Sequence, residues 1–229
     1  RDIAEGATHY TATDREWGHS GSPVADAYFF RQITPRQSIT ANAVGTYIDT
    51  HANHYYDEST PYQYDISGRS ASLLSEIIYE NRLKPFTLSA GLNYRYKHTR
   101  NSYQGSADAL NLMINHSLYA FAELQGSLGH LRYTVGTGVS RLYYTQDAHR
   151  YRYWTLRPKL SLAYALSDGL QLSYDFSIRE KVSRMAFISD AAIRNNSMEW
   201  TVGNPDLRPN RETEHTLRLS YSTDRWQAY

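Results

Sequence analysis

The feature that most constrains the fold of this chain is an alternation of apolar and polar residues that persists over long runs. In the clearest case, runs at 154–166 and 170–178 flank the turn Ser167-Asp168-Gly169. Asp-Gly between alternating runs is a strong hairpin signal, and every second side chain of a strand lies on the same face. We therefore predict an antiparallel hairpin with one apolar face. That face comprises Trp154, Leu156, Leu160, Leu162, Tyr164, Leu170, Leu172, Tyr174 and Phe176.

The same hairpin unit recurs along the chain, and its connections alternate in length. Residues 1–21 fit no clear pattern. The remaining pattern predicts an up-and-down antiparallel sheet with short turns at one end and long loops at the other. The predicted short turns are 34–37, 83–85, 127–130, 167–169 and 223–225, and the predicted linkers are 52–68, 98–115, 146–151 and 181–210.

Run length and tyrosine content favour a sheet that spans a membrane. Strands of soluble sheets average roughly 5–6 residues, whereas a tilted strand that crosses a bilayer needs roughly 9–11. The chain also has 21 tyrosines among 229 residues, and rings with a polar tip concentrate at membrane interfaces. We predict an all-β, antiparallel, up-and-down transmembrane β-barrel in the outer membrane of a Gram-negative cell, with the nine residues above facing lipid. A soluble sheet that packs its apolar face on a second layer is the alternative.

Composition excludes several other classes of protein. The formal net charge of +1 gives no strong attraction to nucleic acid. The absence of cysteine excludes disulfides and thiolate metal sites, and no apolar run is long enough for a transmembrane helix. Residues 1–10 show no basic-then-apolar leader. We therefore expect that a leader has been removed or that the chain is a piece of a longer protein.

The sequence offers little support for catalysis or metal binding. It contains no nucleophile elbow, phosphate-binding loop or zinc-protease helix motif. His51 and His54 lie near Asp49 and Asp57, but histidines and acids are common at a polar loop rim and make a weak metal signal. We predict no catalytic residue, no metal site, no cofactor and no enzymatic activity.

Two stretches, 94–100 and 150–154, alternate aromatic and basic residues. Such stretches can stack on single-stranded nucleic acid. At the end of a barrel strand, the same residues form an aromatic girdle whose basic partners meet lipid head groups. We favour the girdle and predict outer-membrane lipid, and no nucleic acid, as a partner.

The remaining ligand candidates are aromatic residues that the pattern places in loops. Their rings could stack on sugars or iron chelates at a pore mouth, or they could pack the loops themselves. These candidates are Tyr55, Tyr56, Tyr62, Tyr64, Tyr103 and Trp200.

One short motif carries a resemblance to a known family. The segment 203–209, Gly-Asn-Pro-Asp-Leu-Arg-Pro, precedes an alternating run and resembles a segment of TonB-dependent outer-membrane receptors. The tyrosine-rich strands look most like those of the Bacteroidetes type of this family. The family pattern continues with Glu, whereas this chain has Asn210 there and Glu212 two residues later. The matching positions are Gly203, Asn204, Pro205, Leu207 and Pro209.

The resemblance implies energised import of a nutrient such as a glycan, peptide or siderophore. It implies a barrel of about 22 strands around a plug domain that contacts the TonB complex, and it leaves open a surface lipoprotein partner. This chain offers about nine or ten strands and no plug, so we interpret 1–229 as a single barrel portion. A complete small barrel without transport is the alternative.

The motif also has a physical interpretation that needs no family. Pro205 and Pro209 fix φ and bias the preceding residues toward extended geometry. We therefore predict that the segment enters the next strand already extended, with Leu207 packing the loop against the barrel wall. This is a structural role and involves no ligand.

Overall fold

The computed structural model describes residues 2–5, 8–11, 13–57, 62–105, 108–181, 192–194, 199–204, 206–222 and 227–228. No helix in these ranges is long and apolar enough to cross a membrane. The strands are β1 (Asp2–Glu5), β2 (Thr8–Thr11), β3 (Thr13–Gly21), β4 (Val24–Thr34), β5 (Gln37–Asp57), β6 (Tyr62–Arg82), β7 (Phe86–Gly105), β8 (Ala109–Leu128), β9 (Leu131–Gln146), β10 (His149–Leu156), β11 (Lys159–Ser167), β12 (Leu170–Lys181), β13 (Ile193–Arg194), β14 (Trp200–Thr201), β15 (Asn210–Ser222) and β16 (Gln227–Ala228).

Twelve of these strands form one antiparallel sheet. Its order is β16-β15-β12-β11-β9-β8-β7-β6-β5-β3, with β10 also pairing with β9 and β4 with β5. β3 and β4 follow one another along β5, and β10 and β11 follow one another along β9, so the twelve strands occupy ten positions. Within the described strands the sheet is open, because its edges do not pair with each other. This architecture confirms the predicted all-β, up-and-down barrel wall.

The predicted short turns lie together at one end of the sheet, the turn end. They connect neighbouring antiparallel strands at Pro35–Arg36, 83–85, Gly129–His130 and Asp168–Gly169. Gly169 has φ +85°, a left-handed conformation that glycine adopts without a steric penalty. The turn predicted at 223–225 lies outside the described residues.

At the opposite end, the loop end, the strands extend further than the pattern predicts. β5 to β8 have 20 or 21 residues each, so most of the linkers predicted at 52–68 and 98–115 is strand. The alternation fades there because the face is no longer apolar, while backbone pairing continues without it. The connection between β12 and β15 remains long.

The sheet has one apolar face and one polar face, because successive residues of each strand point to opposite sides. Cross-strand register joins Leu92 to Ile77, Leu92 to Ala120, and Ala120 to Val139 on what we name the outer face. All nine residues predicted to face lipid lie on it. Trp154 is 69% exposed and Leu92 is 51% exposed, so no second layer of described residues covers this face. The soluble alternative therefore lacks the packing layer that it requires.

Aromatic residues form a row at each end of the aliphatic band on the outer face. This arrangement, an apolar belt between two aromatic girdles, is typical of outer-membrane barrels. The row at the loop end comprises Tyr47, Tyr94, Tyr96, Tyr143 and Trp154, and the row at the turn end comprises Tyr79, Phe86, Tyr133, Tyr164 and Tyr221.

Candidate functional site: the inner face of the wall

The polar face, which we name the inner face, encloses a cavity of about 720 Å³. Glu76 of β6 and Arg179 of β12 line the same cavity although four strands lie between them in the sheet, so the inner face is concave. The lining carries charges of both signs and more cations than carboxylates. Its charged residues are Glu76, Arg95, Lys97, Glu123, Arg157, Arg179, Glu180 and Lys181.

Two stacked aromatic rings form the floor of this cavity. Tyr119 and Phe121 are two residues apart on β8 and both point to the inner face. Their ring centroids are 5.3 Å apart and the angle between the ring planes is 17°. Gly138 lies beneath Tyr119, and a Cβ there would be 2.6 Å from the Ala120 carbonyl oxygen and would also meet the Tyr119 ring. Glycine is therefore required for the ring to lie flat against the sheet.

A half-buried arginine covers this floor. The Arg157 guanidinium carbon lies 4.2 Å from the centroid of the Tyr119 ring, which favours a cation–π contact. The Arg157 backbone N–H donates to the Gly138 carbonyl at 2.8 Å, so the pairing with β9 continues between β10 and β11. Pro158 follows and has no N–H to donate. The missing hydrogen bond at Pro158 separates β10 from β11, which otherwise lie end to end beside β9.

Glu180 holds the sheet together where backbone pairing stops. The Ile178 N–H donates to the Pro158 carbonyl at 3.1 Å, and no ladder between β12 and β10 is described beyond that point. The Glu180 carboxylate instead accepts hydrogen bonds from Ser140 Oγ at 2.7 Å and Thr155 Oγ1 at 2.9 Å. Ser140 is fully buried, so this carboxylate satisfies a hydroxyl that water cannot reach.

The segment 203–209 forms a turn on the inner side of the sheet, whereas we predicted that it would enter the next strand in an extended conformation. Asn204 Oδ1 accepts the Asp206 N–H at 2.9 Å, and the Leu207 N–H donates to the Asn204 carbonyl at 3.2 Å. The prediction was wrong because the Asn side chain stabilises a turn. Pro205 itself lies outside the described residues. Extended structure begins only after the turn, and β15 starts at Asn210.

This turn lies against the inner face of β9 and β10. Tyr144 Oη donates to the Leu207 carbonyl at 3.5 Å, and the Tyr144 ring stacks on Tyr151 with centroids 4.3 Å apart. The Tyr144 side chain is buried there and Tyr151 is half-buried. Leu207 thus contacts the wall through its backbone carbonyl, and its side chain remains exposed.

The six aromatic ligand candidates lie in strands rather than in loops. Tyr56, Tyr62 and Tyr64 form a buried cluster at the loop end, with the rings of Tyr56 and Tyr62 stacked at 5.2 Å. Tyr55 and Tyr103 are half-buried, and burial raises the pKa of Tyr103. Trp200, in β14, is 54% exposed and so presents the most accessible ring of the six. The structure does not bring the six into one site.

The histidines near the loop end are not arranged as metal ligands. Residues three apart on a strand point to opposite faces, so His51 and His54 of β5 lie on different sides of the sheet. His54 Nε2 lies 2.7 Å from Asp14 Oδ1, and the His51 ring lies 5.7 Å from that of His19. The described residues contain no group of three or more potential metal ligands.

Sequence reasoning missed the residues that organise the inner face. Glu180 and Arg157 carried no motif, and Tyr119 was one tyrosine of many. One signal was available, because Arg157-Pro158 interrupts an otherwise alternating run. A proline inside a strand marks a place where ladder hydrogen bonds are missing and side chains must replace them.

Solved structures share this architecture at low sequence identity. The chain aligns with the copper transporter OprC at a TM-score of 0.57 and 11% identity, covering 90% of this chain and 43% of that one. It aligns with BauA, the ferric preacinetobactin receptor from Acinetobacter baumannii, at a TM-score of 0.55 and 9% identity, covering 90% of this chain and 36% of that one. It aligns with FyuA, the ferric yersiniabactin uptake receptor from Yersinia pestis, at a TM-score of 0.55 and 10% identity, covering 97% of this chain and 35% of that one. The chain thus spans less than half of each.

Sequence comparison defines the family. No curated protein matches the chain. The family model described as outer membrane protein beta-barrel family matches residues 34–229, which is most of the chain and includes the wall, the inner cavity and the segment at 203–209. An apolar outer face between aromatic girdles, a polar concave inner face and this match lead to one conclusion: the chain belongs to the outer membrane β-barrel protein family and lies in the outer membrane.

Proposed function

We propose that this chain is part of the barrel of a TonB-dependent receptor that imports a nutrient across the outer membrane. The observation that carries the proposal is the concave inner face, whose cavity of about 720 Å³ is lined by charges of both signs. An interior lined by charges of both signs suits a path through which polar solutes pass. The transporter and receptor names of the structural neighbours, and the match of 203–209 to the receptor motif, support the same function.

In this proposal the strands form the wall of an import path. Short turns face the periplasm and the loop end faces the exterior, as in bacterial outer-membrane barrels. Arg95, Arg157 and Glu123 then present donors and acceptors to a plug domain or to a passing ligand. The turn at 203–209 lies within this path, where Tyr144 holds it against the wall.

The partners of the import step lie outside this chain. A plug domain would contact the TonB complex, and a surface lipoprotein could cover the loop end. The substrate class is a glycan, a peptide or a siderophore, which are nutrients too large for passive pores. Of the six aromatic candidates, Trp200 is the best placed to contact such a ligand, because its ring is the most accessible. We assign no catalytic role to any residue.

The alternative is an outer-membrane barrel that binds without transport, and deletion of the gene in its native host distinguishes the two. The deletion strain is grown on a panel of glycans, peptides and iron chelates as sole nutrient sources. Transport predicts that growth is lost on one member of the panel, that a strain lacking TonB shows the same defect, and that the restored gene rescues growth. Full growth on every nutrient, or a defect independent of TonB, would rule out energised import.

A further inference from the structure

A second pocket, of about 290 Å³, lies on the outer face at the loop end. It is separate from the inner cavity because its lining residues point toward the membrane. Two rows of the cross-strand register build it, and both cross β7, β8, β9 and β10. Its lining residues are Tyr94, His116, Leu118, Arg141, Tyr143 and Arg152.

Arginine and aromatic residues alternate in this pocket in a two-by-two pattern. Arg141 of β9 lies opposite Trp154 of β10, and Tyr143 lies opposite Arg152. The guanidinium carbons lie 5.2 Å from the centroid of Trp154 and 5.5 Å from the centroid of Tyr143, respectively. The rings therefore hold both cations against the sheet, and the two arginines are diagonal neighbours whose Cα atoms lie roughly 7–8 Å apart.

Neither arginine has an acidic partner within the described part of the chain. The ion pairs found there involve other residues. The outer-face positions of β7 to β10 contain no carboxylate, and besides Arg141 and Arg152 they include Arg100 and Arg150. This part of the membrane-facing surface is consequently cationic. Neutralising charge must come from the surroundings of the protein.

The depth of the pocket identifies those surroundings. The row of the pocket that is nearer the turn end contains Arg141 and Trp154. The next row toward the turn end begins the aliphatic band and comprises Leu92, Ala120, Val139 and Leu156. The arginines therefore lie at the membrane interface, where the cost of a lipid-facing arginine falls to about 0–1 kcal/mol from about 2–4 kcal/mol at the midplane. This inference rests on the proposed function, in which the loop end faces the exterior. The interface then belongs to the outer leaflet, whose main lipid is a phosphorylated glycolipid.

We propose that this pocket binds the phosphate group of an outer-leaflet glycolipid, namely the phosphorylated diglucosamine head of lipid A. Two guanidinium groups can clamp one phosphate with paired N–H donors. Tyr94 Oη lies 2.9 Å from His116 Nδ1, which fixes the hydroxyl at the edge of the pocket. The lipid's acyl chains then follow Leu118 and the aliphatic band below it.

The test measures lipid binding to the intact receptor that carries this chain, purified in detergent. Bisphosphorylated lipid A is titrated against wild-type protein and the double variant Arg141→Gln/Arg152→Gln, and the bound fraction is measured by native mass spectrometry. We expect the double variant to bind at least about tenfold more weakly, because two charge-assisted clamps are lost. We expect lipid A without its phosphates to bind wild type as weakly as the double variant binds the phosphorylated lipid.

Two further variants separate this site from general attraction to an anionic membrane. Arg31 also lies on the outer face, but near the turn end, so Arg31→Gln removes one charge from the opposite interface and should leave lipid A binding unchanged. Arg141→Lys/Arg152→Lys keeps the charge but loses the paired donors, and binding should be intermediate. Each variant is first checked for an intact barrel by its mobility in unheated gels.

Several results would overturn the proposal. Equal lipid A binding by wild type and the folded double variant would exclude a role for the two arginines. Equal binding of phosphorylated and dephosphorylated lipid A would show that acyl chains alone are recognised. If inorganic phosphate bound wild type as tightly as lipid A, the pocket would be a site for free anions rather than for lipid.

Discussion

Two regions of the sheet are held together in different ways. The wall, which we define as β5 to β9 (37–146), has unbroken backbone ladders of 16 to 20 residue pairs between neighbouring strands. The seam, which we define as β10 to β12 with residues 202–210, is interrupted by Pro158 and by the departure of β12 from β10. There, side chains make connections that the backbone makes elsewhere, through Glu180 and Tyr144.

The difference shows which part of the sequence determines each region. In the wall, alternation decides which residues meet lipid, and we expect that most single polar side chains on the inner face can be replaced without altering the backbone pairing. In the seam, individual side chains make hydrogen bonds to polar groups that no backbone partner satisfies. The chemical identity of each of these residues therefore matters more than the alternation of apolar and polar positions. The three predictions below test this distinction.

The largest effect is expected from a charge placed on the outer face of the wall. Ala90 lies on β7 midway between Phe86 and Tyr94, which belong to the two aromatic rows, and it lies opposite Ala122. Ala90→Arg should lower the free energy of unfolding by about 2–4 kcal/mol, because a lipid-facing arginine near the midplane is desolvated. The measurement is denaturant unfolding of the protein in lipid vesicles.

The neighbouring residue provides a matched control. Ser89 points to the inner face and lies opposite both Glu80 and Glu123, so Ser89→Arg adds a cation between two carboxylates. Its unfolding free energy should change by no more than about 1 kcal/mol, as for other solvated charge pairs. Similar losses for the two variants would contradict the assignment of the faces.

The faces of the long strands were the part of the fold that the sequence could predict. A period of two needs only a local pattern, and the register of long hairpins follows from the turns, so the outer-face residues of β10, β11 and β12 were predicted one by one. The ends of β5 to β8 were not, because the strands continue after the apolar alternation ends. A hydrogen-bonded ladder leaves no signature in the sequence once both faces are polar.

The candidate site was predicted less well, for a physical reason. Ser140 and Thr155 lie opposite each other in the ladder between β9 and β10, but Glu180 is 40 residues from Ser140 and 25 from Thr155, and no local pattern in the sequence places its carboxylate beside that pair. The aromatic candidates lie in strands rather than in the predicted loops, and Tyr56, Tyr62 and Tyr64 pack against one another there. A strand, β15, begins directly after the segment 203–209, as predicted. The prolines of the segment suggested an extended conformation, whereas the Asn204 side chain stabilises a turn.

A smaller effect is expected when the seam loses its carboxylate. Glu180→Ala leaves the buried Ser140 hydroxyl without its acceptor, which should lower the free energy of unfolding by about 1–3 kcal/mol. Glu123 is a suitable control, because it makes a pair with the half-exposed Lys159 at 3.3 Å. Glu123→Ala should lower the same free energy by about 0–1 kcal/mol.

A double variant identifies the cause of the loss at Glu180. Adding Ser140→Ala removes the unsatisfied hydroxyl, so part of the stability should return. Additive losses in Glu180→Ala/Ser140→Ala would mean that the two side chains do not depend on each other. The seam would then be held by packing, and the contrast with the wall would weaken.

The smallest effect concerns the turn that lies inside the seam. Asn204→Ala removes the acceptor of the Asp206 N–H, and because the group is exposed we expect the free energy of local opening of this turn to fall by only about 0.5–1 kcal/mol. Local opening should nevertheless increase the rate of proteolytic cleavage near 203–209 without changing the global unfolding transition. The measurement is limited proteolysis of the folded protein, with cleavage sites identified by mass spectrometry.

The conservative variant makes this prediction specific to the side-chain acceptor. Asn204→Asp keeps an oxygen at the same position and should retain the cleavage rate of wild type, because aspartate supports the same turn. If both variants were cleaved faster than wild type and equally fast, the amide NH2 group of Asn204, which both variants lack, would be responsible instead of its oxygen. If neither differed from wild type, the bond from Tyr144 to the Leu207 carbonyl would be sufficient to hold the turn, and the seam would depend on the wall rather than on its own residues.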